Sequence, residues 1–475
     1  MKRLGSRFAA FALVLVLLAG PTLAADIVLN APGETVRASA LEHPRVQAVV
    51  LDDGTVIDDG GSVVVLNCFV DTGASASLIS HLNAEGYSGT SFWGEILSLG
   101  LDGTPPGEFI GEFTEIGVGG TETVDVTKLL GLKVRNGTAR TVDSTNYATY
   151  AGEFVGFGEH NLMVRREAGP GEVFLYTFPN PLGGDDLVLD LSDPINILGT
   201  SVIGSSVTVI DPKPLDGFLA LLQGTSLGEG DPSLVDPSML THILPPGHAD
   251  IPATDIAFEV RMQSFVPDPP PAGEVLPTAG DNPLLQNVSI AYTNGGGTLE
   301  LTEQEWLLDT GASNTFIGVE QARGLGIIPD GVSLDEFIAQ HKAAGGIVLP
   351  LAGFGEEEIE APQVTVDEIR IQIKGSDDEV VWRDVEILIL DVAGLEGVSG
   401  MNMWVPAITF DPAVAAADPA NIIAAVLDPS ARYFDALVFD PQAGEFRVTL
   451  VPEPAAVAIL LLGGSVLLIR RRRPT

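Results

Sequence analysis

Short apolar runs broken by Gly, Pro, Asp and Asn recur along most of this chain. Val46 to Leu51 is one such run. A turn-rich stretch follows (Asp52-Asp53-Gly54, then Asp58-Asp59-Gly60-Gly61), and the apolar pattern resumes from Ser62 to Val70. Runs of this length bounded by turn formers predict paired strands. The pattern returns in the second half, with Val288 to Tyr292, a turn at Asn294-Gly295-Gly296-Gly297, and Thr298 to Leu308. Each hairpin ends on the same pentapeptide, Asp71-Thr72-Gly73-Ala74-Ser75 and Asp309-Thr310-Gly311-Ala312-Ser313. The far ends of the two segments also correspond. Ile195 to Gly199 is followed by Val207 to Pro212, and Gly397 to Met403 by Ala407 to Pro412; each is an apolar strand reaching a Gly, then a strand closing on Asp-Pro. Helical stretches are few: Val319 to Leu325 follows the second motif, and Leu334 to Ala344 is amphipathic. The expectation is an all-β chain built from an internal repeat.

Composition sets the scale. The chain has 475 residues, 45% of them hydrophobic, enough for two or three domains with sizeable cores. Residues 25–222 hold the first copy and 256–450 the second, the latter opening on a strand from Ile256 to Met262. Residues 223–255, rich in Gly, Pro, Asp and Ser, are predicted to be a linker in which His242 and His248 are solvated; a Pro-rich stretch runs from Val266 to Pro277. The first copy is the longer between its motifs and so carries an insertion. Met1 to Ala24 has a basic start, a short apolar middle and a small-residue end, the layout of a secretory signal peptide; an anchor is the alternative. The net charge is −40 although both ends are basic. Such acidity excludes nucleic acid as a partner and suits solubility at a surface. Cys68, the only cysteine, allows no internal disulfide and reads as a buried thiol.

The paired Asp-Thr-Gly motifs carry the chemistry. Two carboxylates about 3 Å apart cannot both ionise cheaply, so one holds a proton and the other serves as a base for a water between them. The alternative is a pair of structural turns in a duplicated β domain. Gly224-Thr225-Ser226-Leu227-Gly228 fits a nucleophile pattern, but it opens the linker, without the strand and helix such a serine needs. The scattered histidines offer no zinc spacing, and the acidic clusters read as solvated turns rather than calcium loops, so no metal or other cofactor is expected.

The duplicated motif resembles the aspartic proteases, both pepsin-like and retropepsin-like. The resemblance implies a bilobal all-β fold, two pseudo-symmetric lobes with a cleft between them, acting as an endopeptidase on a peptide or protein substrate. It implies Asp71 and Asp309 as the catalytic pair, and Thr72 and Thr310 as the hydroxyls that lock the two loops together. Gly73 and Gly311 allow close approach to the pair, and Gly199 and Gly400 belong to the strands passing beside it. The run from Gly400 to Trp404 looks like a retropepsin-like pattern, and Ala74 and Ala312 are retropepsin-like too. Three segments are candidates for a flap: Gly117-Val118-Gly119-Gly120, the Tyr147 and Tyr150 region, and Gly353-Phe354-Gly355. A peptide-binding pseudoprotease and a structural matrix protein are the rival readings. The C-terminus, Val451-Pro452-Glu453-Pro454 followed by Ala455 to Ile469 and Arg470 to Arg473, resembles a PEP-CTERM sorting signal. It implies an exosortase partner, transient membrane contact through this tail, and display at the cell surface or in the extracellular matrix of a Gram-negative bacterium; a plain anchor is the alternative.

Overall fold

In the computed structural model, residues 26–30, 33–37, 40, 43–59, 62–63, 65–80, 109–117, 120–135, 154–165, 173–178, 187–194, 196–212, 240–267, 269–351, 359–392, 394–405 and 433–451 are described. They form an all-β architecture of two large sheets with a few short helices.

Six strands of the first sheet close on themselves. They are β1 (Arg45–Asp52), β2 (Leu66–Val70), β3 (Leu78–Ile79), β4 (Gly120–Arg135), β5 (Phe154–Arg165) and β6 (Asn196–Leu198). β1 pairs antiparallel with β2, β2 parallel with β6, β6 antiparallel with β3, β3 parallel with β5, β5 antiparallel with β4, and β4 antiparallel back onto β1. Closure leaves the ring no open edge and encloses an apolar interior. Val46, Ala48, Val50, Leu66, Cys68, Val70, Leu132, Val134 and Val164 fill it, alternating along their strands as a two-residue period demands.

The second sheet repeats this ring. Its strands are β7 (Asn282–Asn294), β8 (Gly297–Leu308), β9 (Phe316–Gly318), β10 (Ile359–Gln372), β11 (Glu379–Leu390) and β12 (Gly397–Ser399). Their pairings follow the same order with the same senses, closing through β7 and β10. The predicted repeat is therefore a repeat of strand connectivity. A hairpin of Val173–Phe178 with Leu187–Pro194 lies between β5 and β6 in the chain and supplies much of the extra length of the first copy. Trp306, Trp382 and Trp404, all but inaccessible, anchor the second core; Trp382 and Trp404 meet edge-on at 5.3 Å. Among the described residues three α-helices connect the strands: α1 (Thr200–Ile203), α2 (Val319–Gly324) and α3 (Leu334–Ala343). Reciprocal Ser333 and Glu336 hydrogen bonds cap the start of α3.

Two boundaries depart from the sequence reading. Leu240–Leu244, inside the predicted linker, is a strand. It pairs with Val207–Asp211, which pairs in turn with Phe434–Asp440 of the second sheet. Val207 and Ile210 are buried, so both backbone edges of that strand need partners, and Leu240–Leu244 supplies one. His242 is accordingly half-buried in a strand, whereas His248 is exposed as expected. At the other end, Ile27–Val28 pairs with β11, and Val36 bridges Val385. The described residues between 26 and 40, counted with the first copy by sequence, thus lie on the second ring. Ala407–Pro412 falls outside the described residues.

Candidate active site

Both Asp-Thr-Gly loops leave the same point of their ring. β2 lies parallel to β6, with Val70 opposite Leu198, and the Asp71 amide donates to Leu198 O at 3.0 Å. β8 lies parallel to β12, with Leu308 opposite Ser399, and the Asp309 amide donates to Ser399 O at 3.1 Å. Gly199 and Gly400 follow those strands. The Gly199 amide donates to Ser77 Oγ and the Gly400 amide to Thr315 Oγ1, so each loop is tied to its neighbouring strand alike. A side chain at Gly199 would collide with the Ala76 carbonyl, and one at Gly400 with Asn314 backbone.

The loops meet each other. The Thr72 hydroxyl donates to Leu308 O at 2.6 Å and accepts from the Thr310 amide at 3.1 Å. The Thr310 hydroxyl donates to Val70 O at 2.6 Å and accepts from the Thr72 amide at 3.1 Å. Both threonines are buried, so this four-bond lock is shielded from water.

Asp71 and Asp309 face one another across the lock, close enough for each carboxyl to act on the other, and a hydrogen bond between them requires a proton on one. A Cβ at Gly73 would overlap the Asp309 carboxyl, and one at Gly311 the Asp71 carboxyl. The missing side chains are what let the carboxyls approach. Asp71 Oδ1 accepts from the Gly73 and Ala74 amides at 2.7 and 3.0 Å, and Asp309 Oδ1 from the Gly311 and Ala312 amides at 2.9 and 3.0 Å. Burial raises the pKa of both. Asp309 is held well above the usual carboxylate range, by burial first and then by the Asp71 charge, while the backbone donors pull the other way. Both remain half-buried rather than sealed, so solvent reaches them. The proton belongs to the pair.

All eight predicted site residues (Asp71, Asp309, Thr72, Thr310, Gly73, Gly311, Gly199 and Gly400) come together here. Of the flap candidates, Gly117 and Gly120 flank the turn between a strand at Phe109–Gly117 and β4. A strand at Val348–Leu351 pairs with β10 at the same place in the second ring. Val118, Gly119, Tyr147, Tyr150 and Gly353-Phe354-Gly355 lie outside the described residues.

Sequence reasoning missed two supporting residues. Asn282, fully buried at the start of β7, donates to Thr72 O and Gly73 O at 3.1 and 2.8 Å and accepts from Ser75 Oγ at 2.5 Å. His43, just before β1, contacts Ser313 Oγ at 3.1 Å and packs edge-on against Phe69. Arg45 pairs with Phe69, and Leu284 with Leu307, each two residues before its Asp. His43 and Asn282 therefore hold equivalent places, each reaching the motif serine of the opposite ring. Hairpins of unequal length hide this correspondence in the sequence. Burial and the nearby Arg45 charge push the His43 pKa down to about 3. Glu115, on the Phe109–Gly117 strand, was also missed; burial raises its pKa to about 7.

No protein-family model matches the chain, and no curated protein matches it. Among the described residues no helix is long and apolar enough to cross a membrane, and no group of three or more His, Cys, Asp or Glu side chains could hold a metal ion. The predicted signal peptide and the tail beyond Val451 lie outside those residues.

Proposed function

We propose that this protein is an exported aspartic-type endopeptidase of bilobal fold, each ring forming the heart of one lobe, and that Asp71 and Asp309 activate the water that hydrolyses a peptide bond. The observation that carries the reading is the pair of half-buried carboxyls facing each other, each against the glycine of the opposite loop, held from below by the reciprocal Thr72 and Thr310 lock. An ionised member takes a proton from water as its oxygen attacks the carbonyl carbon. The protonated member gives its proton to the carbonyl oxygen. The tetrahedral intermediate then collapses as the amide nitrogen is protonated and the C–N bond breaks. Neither step needs a covalent enzyme intermediate. Burial and mutual repulsion widen the pH range over which one proton stays on the pair, so activity is expected in acid and declines once that proton is lost. The two signal-like ends support export, with the tail recognised by an exosortase-type enzyme.

The test is digestion of a denatured protein mixture by the purified protein between pH 3 and 7, beside Asp71→Asn and Asp309→Asn. Loss of at least about 100-fold in rate in both variants is expected. Cleavage surviving both substitutions, or no cleavage by a folded wild-type protein, overturns the reading.

A further inference from the structure

One extended segment links three parts of the first ring although it precedes the second. Glu274 to Asn282 runs from the Phe109–Gly117 strand to the Asp71 loop. At its start the Val275 amide donates to Glu112 O at 2.9 Å, and the Thr114 amide reaches Glu274 Oε2 at 3.4 Å. Val275 fills the space that a side chain at Gly111 would need. Val275 and Leu276 pack on the apolar cluster of Ala76, Leu78, Phe113, Val124, Val126 and Met163. In its middle the segment meets β5, with Thr278 N donating to Asn161 O at 3.0 Å and Asn161 N donating to Thr278 Oγ1 at 2.8 Å. Towards its end Ala279 bridges Ala76, and the Gly280 amide donates to Ser75 O at 2.8 Å. Asn282 then holds the loop of Asp71 itself.

The leading segment of the first copy makes the reciprocal crossing. Its Ala40 amide donates to Ser313 O at 2.8 Å, and Val36 accepts from the Glu386 amide of β11. It then follows β11 through Ile27–Val28, which lie far along that strand from the Val348–Leu351 hairpin. The two straps are thus alike at the motif loops and different beyond them. Among the described residues, only the second copy's strap pairs with a hairpin edge.

That edge matters because the hairpin lies over the residues just past Asp71: Phe113 and Val124 share a cluster with Ala76 and Leu78. β4 takes one side of the Phe109–Gly117 strand. An extended peptide reaching the carboxyl pair would add to its other side, where main-chain hydrogen bonds give affinity. The strap already holds that side at Glu112 and Thr114. We propose that residues 274–282 are a specificity element which occupies the base of the hairpin edge and confines recognition of a peptide on the first ring's side to the few residues nearest the bond cleaved. Among the described residues the second ring's hairpin carries no such strap. The preferred substrate is therefore a peptide read asymmetrically, short on one side and extended on the other. This inference rests on the peptidase reading.

The test is a pair of peptide series built around one bond that the protein cleaves, lengthened one residue at a time on the amino or the carboxyl side. In the full-length wild-type protein, kcat/KM is expected to stop rising after about three residues on one side and to keep rising on the other. Val275→Gly loosens the strap from the hairpin. It should restore a gain of about 5-fold for each main-chain hydrogen bond the longer peptide can then form. Glu274→Ala with Thr278→Val is a milder second variant if Val275→Gly does not fold. Equal length dependence on both sides, or an asymmetry that both variants leave unchanged, overturns the strap proposal while the peptidase reading stands. Failure to cleave any peptide overturns the peptidase reading, and the specificity role with it.

Discussion

Replacing Thr72 by Val tests the lock between the two rings. Val keeps the branched shape but removes the hydroxyl. Two buried main-chain groups then lose their partner: Leu308 O, bonded at 2.6 Å, and the Thr310 amide, bonded at 3.1 Å. An orphaned buried group costs about 1–3 kcal/mol, so the two together cost about 2–6 kcal/mol. Thr72 is wholly inaccessible and the surrounding loops are tied to β6 and β12, leaving little room for water to enter; the expected loss is about 4 kcal/mol. Thr72→Ser is the control, since it keeps both hydrogen bonds and gives up only a methyl group, at about 1 kcal/mol. Urea unfolding followed by tryptophan fluorescence reads both, because Trp306 lies on the strand that carries Leu308. A Val variant no less stable than the Ser variant would refute the argument, since it would mean that the hydroxyl bonds contribute nothing net. Thr310→Val should match Thr72→Val, given the symmetry of the lock. The double variant should lose less than the sum, because once the rings part, water reaches all four groups.

Two further predictions concern pH, and their signs oppose. His43 titrates at about 3 in the folded protein against 6.5 when free, so the unfolded chain takes up its proton first. Stability is then full above pH 6.5 and falls as pH drops towards 3, by about 3 kcal/mol at pH 4. His43→Gln should abolish that part of the acid sensitivity, and thermal melts of both proteins at pH 4 and 7 check it; an unchanged difference would mean that His43 does not titrate in this way. Asp309 behaves conversely. Its pKa is raised, so its contribution is fully present below the free carboxylate pKa and is lost as pH rises through the folded value. Asp309→Asn should therefore flatten the fall in stability from acid to neutral pH, and should leave the variant the more stable protein at pH 7. A variant less stable than wild type at pH 7 would show that the shared hydrogen bond outweighs the repulsion.

The pair of carboxyls, the threonines and the four glycines were all legible, because each lies within a short motif that occurs twice. The strands around them were legible from another local signal: β1 with β2 and β7 with β8 lie on short apolar runs bounded by turn residues. The partners of these residues were not. His43 and Asn282 carry no shared residue type, and only strand register shows their equivalence. The strand at Leu240–Leu244 was masked by the Gly and Pro around it, and its place follows from the unpaired edge of Val207–Asp211, a need that arises only once the second sheet exists.

By itself, then, the sequence determined the β class, the duplication and the residue types present at each motif. These depend on periodicity, turn formers and residue identity, which are local. Tertiary structure alone decided that Thr72 bonds to Leu308 and Thr310 to Val70, that the two carboxyls face each other, and that each copy's leading segment crosses to the other ring. Such contacts join residues far apart in the chain. They are selected by the requirement that every buried polar group find a partner, and that requirement can be met only after the rings have closed.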